Sequence, residues 1–129
     1  MPLLFQYRVY RRDLHHNRDV LYVFGDNELR RGMGGQAGEM RGEINAVGVC
    51  TLAAPGRPWS DESAARQCGV VDGDMAQLFE ALRQGRIVVW PSEGIGTGLA
   101  GLEKASPTTF AHINKQLEEL KRTVPDPAE

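Results

Sequence analysis

Apolar runs alternate with polar and glycine-containing segments along the chain, and their spacing predicts the order of the elements. Four runs rich in branched and aromatic side chains predict β-strands at residues 3–10, 20–24, 45–53 and 86–90. The run at residues 20–24, VLYVF, contains no charged position. Such continuous runs are typical of strands covered on both faces, so residues 20–24 are expected at the centre of the sheet.

Helical spacing of apolar positions predicts two longer helices. The apolar stripe of the last helix, predicted over residues 107–122, consists of Phe110, Ile113, Leu117 and Leu120. A second helix is predicted over residues 75–84, after the possible N-caps in residues 72–74 and before Gly85. Residues 35–41 predict a short helix. Residues 11–18 are interpreted as a polar connection, and residues 54–71 as a long loop with one helical turn around residues 61–67.

Strands separated by helices predict an α/β fold with three layers and a mainly parallel or mixed central sheet. A chain of 129 residues is long enough for one domain with its own core, predicted over residues 1–123. Residues 124–129 are acidic and contain prolines, so a frayed tail is expected there.

Charge is unevenly distributed, although the net charge is only -2. The first third of the chain carries Arg8, Arg11, Arg12, Arg18, Arg30, Arg31 and Arg41. A net charge near zero provides no attraction of the whole molecule for nucleic acid, so nucleic acid is not expected as a partner. A local basic patch stays open beside the alternative that the arginines are separately solvated.

No stretch of the sequence predicts a signal peptide or a membrane span, so a cytoplasmic protein is expected with no membrane partner. Cys50 and Cys68 lack the spacing of a zinc site or a redox pair, and His15 and His16 are interpreted as solvated residues. Neither a metal nor a cofactor is expected.

Two glycine-rich segments follow predicted strands, at residues 25–35 and 94–101. In open α/β sheets, ligands bind beyond the carboxyl ends of the strands, where both segments would lie. Glycine loops present backbone N–H groups to an anion, so we expect a phosphate-containing ligand held between them. The alternative is that the glycines only permit tight reversals, because neither a Walker pattern nor a strict GxGxxG is present.

Residues 12–38, RDLHHNRDVLYVFGDNELRRGMGGQAG, and residues 88–102, VVWPSEGIGTGLAGL, resemble the macrodomain family. In that family an asparagine ends one strand, a glycine loop opens a helix, and a second glycine turn wraps a diphosphate. The resemblance implies a macrodomain-like fold that binds ADP-ribose or a related nucleotide, in a divergent small member of the kind found in bacteria and phages. An ADP-ribosylated protein is a possible partner.

The resemblance also implies a role for each site residue. Asp13 would contact adenine, and Asn27 or Asp26 would face the distal ribose. The remaining ligand-binding residues would hold the diphosphate through backbone N–H groups and the Thr97 hydroxyl: Gly32, Gly34, Gly35, Gln36, Gly94, Ile95, Gly96, Thr97 and Gly98.

Weak hydrolysis of an ADP-ribosyl bond would need a carboxylate to activate water, and Asp26 with Asn27 is the first choice. Glu93 is the other carboxylate at the loops, and Ala100 stands where the hydrolase branch has a catalytic aspartate. Asp26 could instead stabilise its turn. A non-enzymatic interaction protein, in which both glycine loops are structural, is the alternative function.

Overall fold

The computed structural model describes residues 3–97 and 101–127. Its strands are β1 Leu3–Gln6, β2 Leu21–Asn27, β3 Ala46–Ala54, β4 Arg57–Pro58 and β5 Val88–Pro91. Its helices are α1 Arg11–His16, α2 Ala37–Met40, α3 Ala64–Arg83, α4 Leu102–Ala105 and α5 Pro107–Arg122, with a 3-10 turn at Asp61–Ser63.

The strands form one mixed sheet in the order β1-β5-β2-β3-β4. β1 pairs with β5, β5 with β2, and β2 with β3, all in parallel, whereas β4 runs antiparallel to β3 as the second arm of a short hairpin. The prediction of an α/β fold with a mainly parallel or mixed sheet is therefore confirmed.

β2 lies inside the sheet and contributes to two separate cores, one on each face. Leu21 and Val23 pack in the larger core with residues of α3 and α5. Tyr22 and Phe24 pack in the smaller core with residues of α1 and α2. Alternate residues of a strand point to opposite faces, so the continuous apolar run buries both sets.

β2 is longer than the sequence predicted. Residues 25–27, interpreted as a polar turn, continue the strand because Gly25 pairs with Val49 and Asp26 with Cys50. The strand then makes an irregular step before Asn27. The two polar side chains thus end up buried at the carboxyl end of a central strand, where a ligand site is expected in an α/β sheet.

Gly48 is required by its neighbour on β2. A Cβ atom at this position would clash with the carboxylate of Asp26, whose side chain lies directly over it. A glycine inside a strand often marks such a close approach, and β3 accommodates the buried carboxylate in this way.

α3 begins at Ala64, eleven residues before the predicted helix start at residue 75. The aspartates of the DGD segment, predicted as N-caps, make contacts across the fold instead: Asp72 lies 2.6 Å from His112 Nε2, and Asp74 accepts the Cys50 N–H. Gly69 and Gly73 sit on the exposed side of the helix, where a glycine lowers stability without ending the helix. The predicted long loop is therefore the β3–β4 hairpin, the 3-10 turn and the first part of α3.

α1 replaces the predicted connection at residues 11–18. Its start is a capping box, in which the Asp13 carboxylate accepts the Tyr10 N–H at 2.8 Å. The last helix, α5, has the predicted bounds.

One residue of the segment predicted as a frayed tail contacts the domain. Asp126 donates its backbone N–H to the Arg83 carbonyl at the end of α3, at 2.8 Å. Among the helices of the part that the structure describes, none has the length and apolarity needed to cross a membrane.

Candidate functional site

A cleft of about 770 Å³ opens at the carboxyl ends of the parallel strands. The first glycine loop, residues 28–36, forms one wall, and the second glycine loop, residues 92–97 of the described chain, forms the facing wall. The end of β2 forms the floor, and the β3–β4 hairpin and the residues after β1 complete the rim. Both loops therefore border one hollow of the size typical for small-molecule sites.

Most of the predicted site residues line this cleft. They are Asp26, Asn27, Gly32, Gly34, Gly35, Gln36, Gly94, Ile95, Gly96 and Thr97. Gly98 and Ala100 lie outside the described residues. Asp13 is not among the lining residues, because its carboxylate is engaged at the start of α1, where it accepts the Tyr10 N–H at 2.8 Å and the Gln6 Nε2 at 3.2 Å.

The first glycine loop owes its shape to residues in the left-handed region. Gly32 has a φ of 106° and Gly35 a φ of 57°, values that other residues adopt at a cost. Gly34 has an ordinary φ, and a Cβ there would meet no atom within 4 Å. The loop thus needs two glycines for its backbone, whereas Gly34 leaves open space on the cleft side.

Gln36 fastens the first glycine loop to the segment after β1. Its Oε1 accepts the Val9 N–H at 2.8 Å and its Nε2 donates to the Val9 carbonyl at 2.9 Å. The side chain therefore satisfies both backbone groups of one residue, as a neighbouring strand would. These two bonds fix the position of the Gln36 side chain at the wall of the cleft.

The second glycine loop is held from beneath by the core. Ile95 is 4% exposed and belongs to the larger core, while Gly94 and Gly96 have φ values of 87° and 78°. A Cβ on Gly96 would lie 2.9 Å from the Cβ of Leu102, so glycine is needed for space as well as for φ. The Thr97 hydroxyl donates to the Glu93 carbonyl at 3.0 Å, so its proton is used inside the loop.

Asp26 lies in the floor of the cleft as a neutralised carboxylate. Its side chain is 4% exposed and accepts Arg41 Nη2 at 2.6 Å, and Arg30 Nη1 lies 3.6 Å from Oδ2. Oδ1 also accepts the Asn27 N–H at 2.8 Å. A carboxylate bound in this way is a poor general base, because its lone pairs are used and its charge is paired.

Arg41 connects the floor of the cleft to the first glycine loop. Besides its ion pair with Asp26, its Nε donates to the Gly32 carbonyl at 2.8 Å, and its guanidinium lies 5.4 Å from the centre of the Phe24 ring. In the sequence, Arg41 is one of seven arginines of the first third, and nothing in its local pattern predicts a role at the site. Its contacts span fifteen residues of sequence to Asp26, so no local pattern indicated them.

Asn27 closes the turn that follows β2. Its Nδ2 donates to the Arg31 carbonyl at 2.7 Å, and its Oδ1 accepts the Leu29 N–H at 3.0 Å. Both ends of the amide are thus used to shape the first glycine loop, in the manner common for asparagine at turns. The predicted contact with a ribose would have to share these groups.

The hairpin side of the rim is anchored to the residue after β2. Glu28 accepts Trp59 Nε1 at 2.6 Å and both terminal nitrogens of Arg66, at 2.9 Å and 3.0 Å. The hydrogen bond from Arg66 lowers the pKa of the Glu28 carboxyl, burial opposes this, and the Trp59 hydrogen bond adds to the lowering. These contacts hold the segment after β4 against the end of β2.

Tyr7 and Arg8 line the cleft and were missed as site residues in the sequence analysis. They follow β1, which is parallel to β5, so they reach the same edge of the sheet as the two glycine loops. Tyr7 is 71% exposed, whereas aromatic side chains are usually covered. The sequence predicted both residues inside a strand over residues 3–10, whereas β1 ends at Gln6, so their place at the cleft follows only from the strand end and the strand order.

The cleft is open to an anion. Arg8 and Arg31 line it, and neither forms an ion pair with any residue that the structure describes. The lining carboxylates are Asp26, which Arg41 neutralises, and Glu93 at the rim. Two free guanidinium groups beside glycine loops form a site suited to phosphate.

Comparison with known proteins gives one match. The model of a family described as a family of unknown function, DUF7831, matches residues 4–116. No curated protein and no solved structure gives a significant match. The matched range includes both glycine loops and all five strands of the described sheet except Leu3, the first residue of β1.

Proposed function

The chain belongs to the DUF7831 family, and we propose that it binds a nucleoside diphosphate of the ADP-ribose type in the cleft between the two glycine loops. The observation that carries the proposal is the convergence of the loops: Arg31, Gly32 and residues 34–37 line the same hollow as residues 93–97. Two facing loops can surround one diphosphate with backbone donors.

The donors of the site are backbone N–H groups that no backbone carbonyl of the described residues occupies. In the first glycine loop these are the groups of Gly34 and Gly35, and in the second those of Ile95 and Gly96. Arg8 and Arg31 add charge at the same cleft. Charge-assisted hydrogen bonds to phosphate are shorter and stronger than neutral ones, so these groups suit the diphosphate.

The base would lie against the exposed ring of Tyr7. A ring that is 71% exposed at the rim of a cleft offers a face for stacking, and a purine is an aromatic partner of matching size. The segments that resemble macrodomains are the same segments that border the cleft, which supports a macrodomain-like fold and an ADP-ribose-type ligand.

We propose that the cleft binds its ligand and that Asp26 does not catalyse hydrolysis of it. Its two oxygens accept Arg41 and the Asn27 N–H, and the pair is largely buried. Glu93 also has a carboxylate at the rim. A general base must reach the attacking water in the bound complex, so position at the rim alone does not make Glu93 a general base. Asp26 is therefore assigned to holding the floor of the cleft.

The test is calorimetry with ADP-ribose, NAD, ADP and AMP, carried out on the intact chain and on Gly34→Glu. Position 34 has an ordinary φ and open space, so the new side chain fits without strain and places a negative charge among the phosphate donors. Like-charge contacts cost several kcal/mol, so the affinity should fall by more than about tenfold.

Two controls separate charge from folding. Gly34→Ala adds only a methyl group and should keep most of the affinity, and Gly69→Glu places the same charge on the exposed side of α3. Absence of binding across the whole panel would reject the proposal and favour the interaction protein with structural glycine loops. Equal affinity of Gly34→Glu and the intact chain would place the ligand elsewhere.

A further inference from the structure

The fold sorts the arginines of the first third into two groups. Arg11 and Arg18 pair with Glu43, Arg30 pairs with Asp74 and Asp26, and Arg41 pairs with Asp26. Within the part of the chain that the structure describes, Arg8, Arg12 and Arg31 take part in no ion pair. The unpaired arginines of the first third therefore lie at the cleft and at the start of α1.

Two of these arginines flank an exposed tyrosine. The guanidinium of Arg12 lies 5.2 Å from the centre of the Tyr10 ring, and that of Arg8 lies 5.8 Å from it. Tyr10 itself is 40% exposed. Together with Tyr7 they form a surface of alternating aromatic and cationic side chains, which we name the Tyr-Arg strip: Tyr7, Arg8, Tyr10 and Arg12.

The Tyr-Arg strip is continuous with the cleft. Tyr7 and Arg8 line the cleft, and the guanidinium groups of Arg8 and Arg12 both lie over the Tyr10 ring. The nearby carboxylate of Asp13 is occupied by the Tyr10 N–H and Gln6, so it does not neutralise the arginines through an ion pair. A ligand that fills the cleft could extend along the strip without a break.

We propose that the Tyr-Arg strip binds single-stranded nucleic acid, one nucleotide of which occupies the cleft. The inference rests on the proposed nucleotide site and extends it to a polymer. Alternating aromatic and basic side chains suit such a ligand, because bases stack on rings and on guanidinium planes while the phosphates meet the charges. A net charge of -2 does not oppose this, since charges more than about 10 Å apart are screened at ordinary salt.

The exposed rings favour nucleic acid over an acidic peptide. Carboxylates of a peptide would use Arg8, Arg12 and Arg31 but would leave Tyr7 without a function. Within the described part of the chain no cation lies over the Tyr7 ring, so a stacked base would account for both the ring and its exposure. Dependence of binding on Tyr7 therefore distinguishes the two classes of partner.

The experiment is fluorescence anisotropy with a labelled single-stranded oligodeoxyadenylate of about 12 nucleotides, a length within the usual range of single-strand sites. We compare the intact chain with Arg12→Gln, which removes one exposed charge that no carboxylate contacts. If Arg8, Arg12 and Arg31 each contact a phosphate, the slope of log affinity against log salt concentration should be about -2. Arg12→Gln should reduce its magnitude by about 0.7.

Arg122→Gln is the matched control. Arg122 lies near the end of α5 and its pair with Glu119 is exposed, so the substitution changes the net charge equally without touching the strip. Tyr7→Ala should weaken oligonucleotide binding by about fivefold or more through lost stacking. Saturating ADP-ribose should also weaken it, because both ligands use the cleft.

The outcomes separate this inference from the proposed function. If Arg12→Gln weakens the oligonucleotide and leaves the affinity for ADP-ribose unchanged, the inference stands. The inference is wrong, and the nucleotide site stands, if ADP-ribose binds but the oligonucleotide does not. The same holds if the oligonucleotide binds Arg12→Gln as tightly as it binds the intact chain. If polyglutamate binds with the same affinity as the oligonucleotide, and Tyr7→Ala does not change that affinity, the partner is an acidic protein and not nucleic acid.

Discussion

At the scale of single residues, the buried pair of Asp26 and Arg41 decides how the floor of the cleft is built. The sequence predicted Asp26 as a site residue with a catalytic role, and the structure places it in the floor of the cleft. That assignment rested on its position after an apolar run, and local position contains no information about a partner fifteen residues away. The structure instead gives it an ion pair, for which Gly48 leaves the space.

Arg41→Gln should destabilise the protein because it leaves a nearly buried carboxylate with the more distant Arg30 as its only charged partner among the described residues. Loss of one partner of a buried pair costs about 3–5 kcal/mol, and the remaining arginine should reduce this to about 2–3 kcal/mol. Urea denaturation measures the difference. Adding Asp26→Asn to Arg41→Gln should restore part of the stability, whereas purely additive losses would show that the buried charge is not the cause.

At the scale of elements, prediction worked where the apolar stripe and the boundary signals agreed. α5 has the predicted bounds because its stripe is regular and Pro107 marks its start. α1 was missed because it buries only Leu14 and has no stripe, and the start of α3 was placed too late because the DGD segment has the composition of a cap. In both cases tertiary contacts decided what composition left open.

Gln36→Ala should loosen the segment between β1 and α1, since both backbone groups of Val9 lose their partner. Two unmade hydrogen bonds at a partly buried position should cost about 1–3 kcal/mol. Hydrogen exchange should show faster exchange of the Val9 amide, and thermal denaturation should show the lower stability. Gln84→Ala, which removes one exposed side-chain contact to Glu80, should change the stability by less than about 0.5 kcal/mol. An unchanged Val9 exchange rate would contradict this role of Gln36.

At the scale of the whole molecule, the sequence predicted the layers but not the order of the strands. Apolar runs and stripes show which elements are buried, and this was enough for an α/β sandwich with one cleft at the strand ends. Nothing local indicates that β5 lies between β1 and β2. Tyr7 and Arg8 could therefore not be assigned to the cleft until the strand order was known.

Glu43 makes the stability of the whole fold depend on pH, because it joins α1 to the segment after α2. It pairs with Arg11, and Arg18 and His15 lie 3.0 Å and 3.1 Å from its carboxylate. The hydrogen bond from Arg11 first, and those from His15 and Arg18, lower the pKa of Glu43 to about 2. A lowered pKa in the folded state means that these contacts stabilise the protein above the ordinary pKa of 4.5 and are lost as the pH falls towards about 2.

Glu43→Gln should therefore lower the melting temperature at pH 7. As the pH falls from about 4.5 to about 2, the melting temperature of the variant should decrease less than that of the intact chain. Differential scanning calorimetry across this range compares the variant with the intact chain. Glu103→Gln, at an exposed glutamate of α4, is the control and should follow the intact chain. Parallel curves for Glu43→Gln and the intact chain would show that the arginine contacts are too weak to matter.

The position of β1 at the edge of the sheet has a consequence for biosynthesis. Among the described strands β1 pairs with β5 alone, whose last residue is Pro91, so a growing polypeptide cannot place its first strand until that strand has left the ribosome. The part of the rim that bears Tyr7 and Arg8 is then completed after the central strands and α3 have been translated. A nascent chain cannot hold a nucleotide between complete walls before most of the domain exists.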